Sequence, residues 1–297
     1  METRRLGRTD LQVGVLGFGG AEIGFQGAAG ETVDRLLGAA LDAGLNVIDT
    51  AECYGGGEEL VGRLAHRRAD FYLFTKCGHA SGLEGPDWEP RMLERSIDRS
   101  LRRLRTDYVD LLQLHSCSEE LLRQGEVIEV LRRARAAGKA RHLGYSGDGA
   151  KALFAVRSGA FDTLQTSVSI ADQQAITLTL PEAQARGMGV IAKRPIANAA
   201  WRTGARPADP YHQAYWERLR RLDYPFLHGE VREGVAIALR FTLSTPGVHV
   251  AIVGTANPAR WAENLALAER GPLPPTEYEP IRRRWAEIAG PHWAGEQ

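Results

Sequence analysis

A closed barrel of eight parallel strands alternating with helices is the fold that the sequence predicts, and three observations predict it. Short β-branched or aliphatic runs are each followed by an amphipathic helical stretch. The pair recurs at roughly 30-residue intervals. Eight such pairs fit along the 297 residues, and eight βα units close naturally into a (β/α)8 barrel whose strands, buried on both faces, read as uniformly apolar.

In chain order, residues 3–6 and 11–13 flank the turn-like Gly7-Arg8-Thr9-Asp10 and predict a small hairpin that plugs the barrel floor. Barrel strands are expected at 15–18, 47–49, 72–75, 109–114, 142–145, 163–166, 190–193 and 250–253. Helical patterns cover 31–43, 58–64, 90–104, 119–137, 149–158, 180–186, 231–243 and 258–270. A long connection over 198–230, rich in aromatic residues, reads either as a lid or as packing on the rim. With a tail over 271–297, the whole chain, 1–297, is expected to form one barrel domain. A doubly wound open sheet fits less well. The cluster Gly14-Val15-Leu16-Gly17-Phe18-Gly19-Gly20 lacks the third glycine of GxGxxG, because Glu22 stands there.

Composition narrows the partners. With 37 basic and 37 acidic residues, no global field favours nucleic acid or an anionic membrane. Three cysteines without a CxxC spacing argue against a disulfide framework and suit a reducing cytoplasm. The polar start Met1-Glu2-Thr3-Arg4-Arg5 lacks the apolar core of a signal peptide, and no apolar run is long enough to span a membrane. A soluble cytoplasmic protein is expected.

Asp49 and Tyr54, Lys76, and His115 follow the second, third and fourth predicted strands. Catalytic groups of a parallel barrel stand at the carboxyl ends of its strands, and strands about 4.8 Å apart can gather these side chains within roughly 10 Å. Singly, each has a plainer reading: a turn cap, a rim aromatic, a solvated lysine, a buried histidine. Together they have the parts needed to reduce a carbonyl. Tyr54 can donate a proton to the oxygen, and Lys76 can lower its pKa. Asp49 can neutralise the lysine, and His115 can orient the carbonyl by hydrogen bonding.

The segments Asp49-Thr50-Ala51-Glu52-Cys53-Tyr54-Gly55, Phe74-Thr75-Lys76 and Leu112-Gln113-Leu114-His115 resemble the tetrad segments of the aldo-keto reductase family. The likeness runs from the hairpin to Asn264. It takes in Gly138-Lys139-Ala140-Arg141-His142-Leu143-Gly144-Tyr145-Ser146 and the stretch from Gly254 to Asn264, which is similar to the family's binding motif for the adenosine end of NADPH. The resemblance implies Tyr54 as proton donor, with Asp49, Lys76 and His115 supporting it. It implies Ser146 and Gln165 at the nicotinamide carboxamide, Thr255 and Arg260 near the 2′-phosphate, Glu263 and Asn264 at adenine, and Gly254 among the cofactor-binding residues. Pro258 fits the first turn of the last predicted helix, whose amino terminus favours a phosphate.

Departures from the family pattern cluster around nicotinamide. Ser146 is followed by Gly147 rather than Asn, and Gln165-Thr166-Ser167-Val168-Ser169 replaces Gln-x-x-Tyr-Asn. Lys193 stands where many members have a stacking aromatic residue. Lys193 and Arg194 together are candidates to meet the cofactor pyrophosphate or an acidic substrate group. Cys53, Cys77 and Cys117 all fall near the tetrad and, with His79 and His115, offer the residue types of a soft metal site. Because Lys76 and His115 already have roles and the sequence presents no tight ligand pair, apolar packing or substrate contact is the better reading and no metal is assigned. The function implied is an NADPH-dependent oxidoreductase acting on a small-molecule aldehyde, ketone or alcohol. The alternative is a nucleotide-binding regulatory or sensor barrel with little turnover.

Overall fold

A computed structural model describes residues 1–295, so the last two residues of the predicted tail lie outside it. Strands β1 (Thr3–Arg5) and β2 (Gln12–Gly14) form the expected antiparallel hairpin. The barrel follows in chain order as β3 (Leu16–Gly19), β4 (Val47–Asp49), β5 (Tyr72–Cys77), β6 (Val109–His115), β7 (Ala140–Ser146), β8 (Thr163–Ser167), β9 (Gly189–Lys193) and β10 (Val250–Val253). Each of these strands pairs in parallel with its neighbours, and β10 closes onto β3.

Helices α1 (Ala21–Phe25), α2 (Gly30–Asp42), α3 (Gly57–Gly62), α4 (Pro90–Leu104), α5 (Glu119–Gln124), α6 (Glu126–Ala136), α7 (Gly149–Ser158), α8 (Gln174–Leu178), α9 (Leu180–Ala185), α10 (Pro210–Leu222), α11 (Val231–Ser244), α12 (Pro258–Ala268) and α13 (Pro275–Ile288) complete the chain. No helix among the described residues is long and apolar enough to cross a membrane.

The hairpin reaches the floor through Leu6, Leu11 and Val13, which pack against the inward-facing Val47, Phe74, Leu111, Ile191 and Val250. The lower barrel is therefore a sealed apolar plug, and polar chemistry is confined to the opposite mouth. Strand register sets that mouth: Asp49 lies opposite Phe74, Lys76 opposite Gln113, His115 opposite Ser146, and Ser146 opposite Gln165.

Several helix expectations need correction. The single helix expected over 119–137 is broken at Gly125, whose φ of 83° ends α5 in the left-handed conformation that glycine adopts without a Cβ penalty. The segment Ala21–Phe25, outside the expected helices, is a short helix, and α8 precedes the expected α9. Within the long connection, α10 starts at an Asp209 cap whose side chain accepts from the Tyr211 N–H, with Pro210 in the first turn. Its Tyr215, Leu219 and Leu222 pack with Ile281 and Trp285 of α13 and with Trp293 of the tail. The connection thus follows the rim-packing reading, and α13, rather than α12, is the last helix.

Candidate active site

At the carboxyl ends of the barrel strands the four expected residues meet. Lys76, fully buried in β5, places Nζ 2.5 Å from Asp49 Oδ2 and 2.9 Å from the Thr50 carbonyl oxygen. Two amides also hold the carboxylate, with Gln113 and Gln165 each donating through Nε2 to Asp49 Oδ1 at 2.9 Å. The Lys76 ammonium stands 4.8 Å from the Tyr54 ring centre and against its hydroxyl. His115 faces the same ring edge-on, with centroids 6.0 Å apart.

Electrostatics here depart from the sequence expectation in one respect. Lys76 does pull the Tyr54 phenol downward, but burial outweighs it and pushes the phenol up to about 12. Tyr54 is therefore a protonated donor at neutral pH. Burial opposes the charge on Lys76 as well, yet Asp49 and Tyr54 overcome it and hold the ammonium above the usual lysine range. Burial, then the cation of Lys76, keeps His115 well below the ordinary histidine range, so its imidazole is neutral.

Residue 54 is positioned by a close backbone approach. A Cβ on Gly24 of α1 would overlap the Tyr54 carbonyl oxygen. The next residue, Phe25, lies 5.4 Å from the Tyr54 ring. We expect Gly24→Ala to destabilise the protein by about 1–3 kcal/mol and to lower turnover by displacing the tyrosine, both measurable by thermal melting and steady-state rates; unchanged values would remove α1 from this role.

Around the tetrad, Ser146 Oγ donates to Gln165 Oε1 at 3.0 Å, so this pair is linked directly to Asp49. Lys193 does not project as an isolated cation, because its Nζ pairs with Asp148 Oδ2 at 2.8 Å. Arg194 donates to the Tyr211 hydroxyl at 2.8 Å and to Ser167 Oγ at 3.0 Å. At the end of β10, Gly254 approaches Gly19, where a Cβ would come within 2.9 Å of the Gly19 carbonyl oxygen. Asn257 caps α12 by accepting from the Ala259 N–H, Pro258 occupies its first turn, Asn264 is buried, and the exposed Arg260 pairs with Glu263 at 3.3 Å. These five residues, Gly254, Thr255, Arg260, Glu263 and Asn264, follow β10 and run into α12, and β10 pairs with β9, the strand that ends at Lys193.

Sequence reasoning missed Gln113, although it lies inside a quoted motif; its partner is 64 positions away. It also missed Glu52, which burial pushes up to about 8 and which accepts the His79 N–H at 2.7 Å. A second buried acid, Asp172, accepts from the Tyr215 hydroxyl at 3.1 Å and is driven up to about 7, first by burial and then by Asp148. Because its folded pKa lies above the unfolded value, the native state binds more protons between about pH 4 and 7. Stability from this group is therefore lost as pH rises through that window. Asp172→Asn should flatten this part of the stability–pH curve in denaturant titrations, and an unchanged slope would refute the assignment.

The sequence profile of the aldo/keto reductase family matches residues 15–286. The chain is 29% identical over 284 residues to L-galactose dehydrogenase from Arabidopsis thaliana, covering 90% of this chain and 88% of that protein. With D-threo-aldose 1-dehydrogenase from a Pseudomonas species it shares 26% identity over 298 residues, covering 87% and 90%. A holo-form aldo-keto reductase from Bacillus halodurans superposes with a TM-score of 0.81 at 27% identity, covering 99% of both chains. Barrel, hairpin, profile and relatives agree: the chain is an oxidoreductase-type barrel that belongs to the aldo/keto reductase family.

Proposed function

We propose that this protein is an NADPH-dependent carbonyl reductase, or the corresponding alcohol dehydrogenase, in which Tyr54 donates the proton. The observation that carries the reading is the protonated Tyr54 phenol held against Lys76, with Asp49 behind the lysine and the neutral His115 across the ring. The donor set suits a dinucleotide phosphate. Arg260 and the capped amino terminus of α12 suit the 2′-phosphate together with Thr255, while Glu263 and Asn264 suit adenine. Gly19 and Gly254 let the ends of β3 and β10 approach closely where this motif begins. Ser146 and Gln165 would meet the carboxamide, although the Gln165 amide N–H is engaged by Asp49. Lys193 and Arg194 form a cationic rim for the pyrophosphate or an acidic substrate group.

NADPH, when bound, supplies the hydride. His115 orients the carbonyl oxygen, and Tyr54 transfers its hydroxyl proton to that oxygen as negative charge develops there. The phenolate left on Tyr54 is stabilised by Lys76, and Asp49 holds Lys76 in place. In the reverse direction the same phenolate takes the proton from an alcohol.

Two relatives carry sugar names, which favours a second reading in which the working direction is oxidation of an aldose. Single-turnover oxidation of bound NADPH by a panel of aldehydes and ketones, run beside reduction of NADP+ by L-galactose and other aldoses, tests both. Tight nucleotide binding with no hydride transfer in either direction would favour the sensor barrel instead. Arg260→Ala is expected to weaken NADPH binding by about tenfold while changing NADH little, as loss of a charge-assisted hydrogen bond implies. Equal weakening in fluorescence titrations would mean that Arg260 does not read the 2′-phosphate.

A further inference from the structure

We propose that Cys53, His79 and His115 form a binding site for zinc or a similar soft divalent cation, whose occupancy closes the carbonyl pocket. Among the described residues, these three form the one group of three or more His, Cys, Asp or Glu side chains that converges in this way: one ligand atom from each lies within 4.8 Å of the others. Cys53 Sγ and His115 Nδ1 are 3.6 Å apart. Tetrahedral zinc with bonds of about 2.3 Å to sulfur and about 2.05 Å to nitrogen has a sulfur–nitrogen edge of about 3.6 Å. His79 and His115 meet edge-on with ring centroids 5.1 Å apart.

His79 is held in the way usual for metal-binding histidines. His79 Nδ1 bonds Asp87 Oδ2 at 2.8 Å, and Asp87 Oδ1 is itself held by the Ala80 N–H at 2.8 Å. A carboxylate on one ring nitrogen fixes the imidazole and raises the basicity of the other, leaving Nε2 for a cation. All three side chains are partly exposed, so an ion can enter from solvent. Three protein ligands leave a fourth position for water. Binding releases the Cys53 thiol proton to solvent, and the thiolate cancels one of the two cation charges. Lys76, the neighbouring cation, is already paired with Asp49.

Binding stands on this geometry alone. The inhibition rests on the reading of His115 as the group that meets the carbonyl. Cobalt tests the site without turnover: the full chain should take up one Co2+ with a thiolate-to-cobalt charge-transfer band. Cys53→Ala should abolish the band, and Asp87→Asn, outside the ligand set, should weaken Co2+ by about 10- to 100-fold. Circular dichroism reports whether each variant is folded. Zn2+ should raise the apparent KM for the carbonyl, with NADPH affinity unchanged and activity restored by EDTA. No thiolate band in the folded parent, or undiminished affinity in folded Cys53→Ala, would overturn the site. A band without inhibition would overturn the closure. A protein that never turns over would sink the reductase reading while the cobalt spectrum still reported on the site.

Discussion

Tyr54→Phe is expected to slow single-turnover carbonyl reduction by about 10²- to 10⁴-fold, the usual contribution of a positioned general acid, while NADPH binds as before. The substitution removes the hydroxyl and keeps the ring, which packs against Phe25 and faces His115. Packing and the shape of the mouth are therefore preserved, and the loss isolates proton delivery. Burial holds the phenol at about 12, so the parent should show a flat rate for reduction across neutral pH, with His115 remaining neutral as well. Stopped-flow absorbance of NADPH measures both the rate and its pH dependence. A rate within about tenfold of the parent would remove Tyr54 from the role of general acid.

Lys76→Met is expected to act on stability and chemistry together. Lys76 and Asp49 are both almost wholly inaccessible, and breaking a buried ion pair from one side typically costs about 3–5 kcal/mol because the remaining charge is stranded. Gln113 and Gln165 still donate to the Asp49 carboxylate. The loss should therefore fall near the lower end of that range in denaturant unfolding. Turnover should fall further than stability predicts, since nothing else stabilises a phenolate at Tyr54. Adding Asp49→Asn to Lys76→Met removes the stranded charge and should restore much of the stability without restoring the rate. If the double variant is no more stable than the single one, the buried charge is not what the lysine neutralises.

The barrel was legible because each parallel strand is covered on both faces and reads as an unbroken apolar run; β4 and β10 fall at the expected bounds. Four strands run past their expected ends: β5 through Lys76 to Cys77, β6 to His115, β7 to Ser146 and β8 to Ser167. In the folded chain these polar groups continue the strands and satisfy one another across the mouth. Helices α10 and α13 were illegible for a different reason: their apolar faces complete each other from positions roughly 60 residues apart, although the Asp209-Pro210 start signal was present.

The tetrad could be read because each member follows a recognisable strand. Its supports could not, since Gln113 and Gln165 reach Asp49 across 64 and 116 positions. The cysteines divide by the same geometry. Cys77 follows the inward-facing Lys76 by one residue and so points to the helical layer, where Cys117 is also buried. Only Cys53 turns toward the histidines.

Asp49 receives Lys76 from β5, Gln113 from β6 and Gln165 from β8, so one carboxylate ties four of the eight strands at the mouth. Such cross-bracing makes the reacting centre and the curvature of the wall a single mechanical unit. Changes in what the protein accepts must then arise in the parts this brace does not hold: the turn carrying His79 and Trp88, and the rim around Tyr211. A lineage could exchange those pieces freely and keep the same proton-transfer device beneath them.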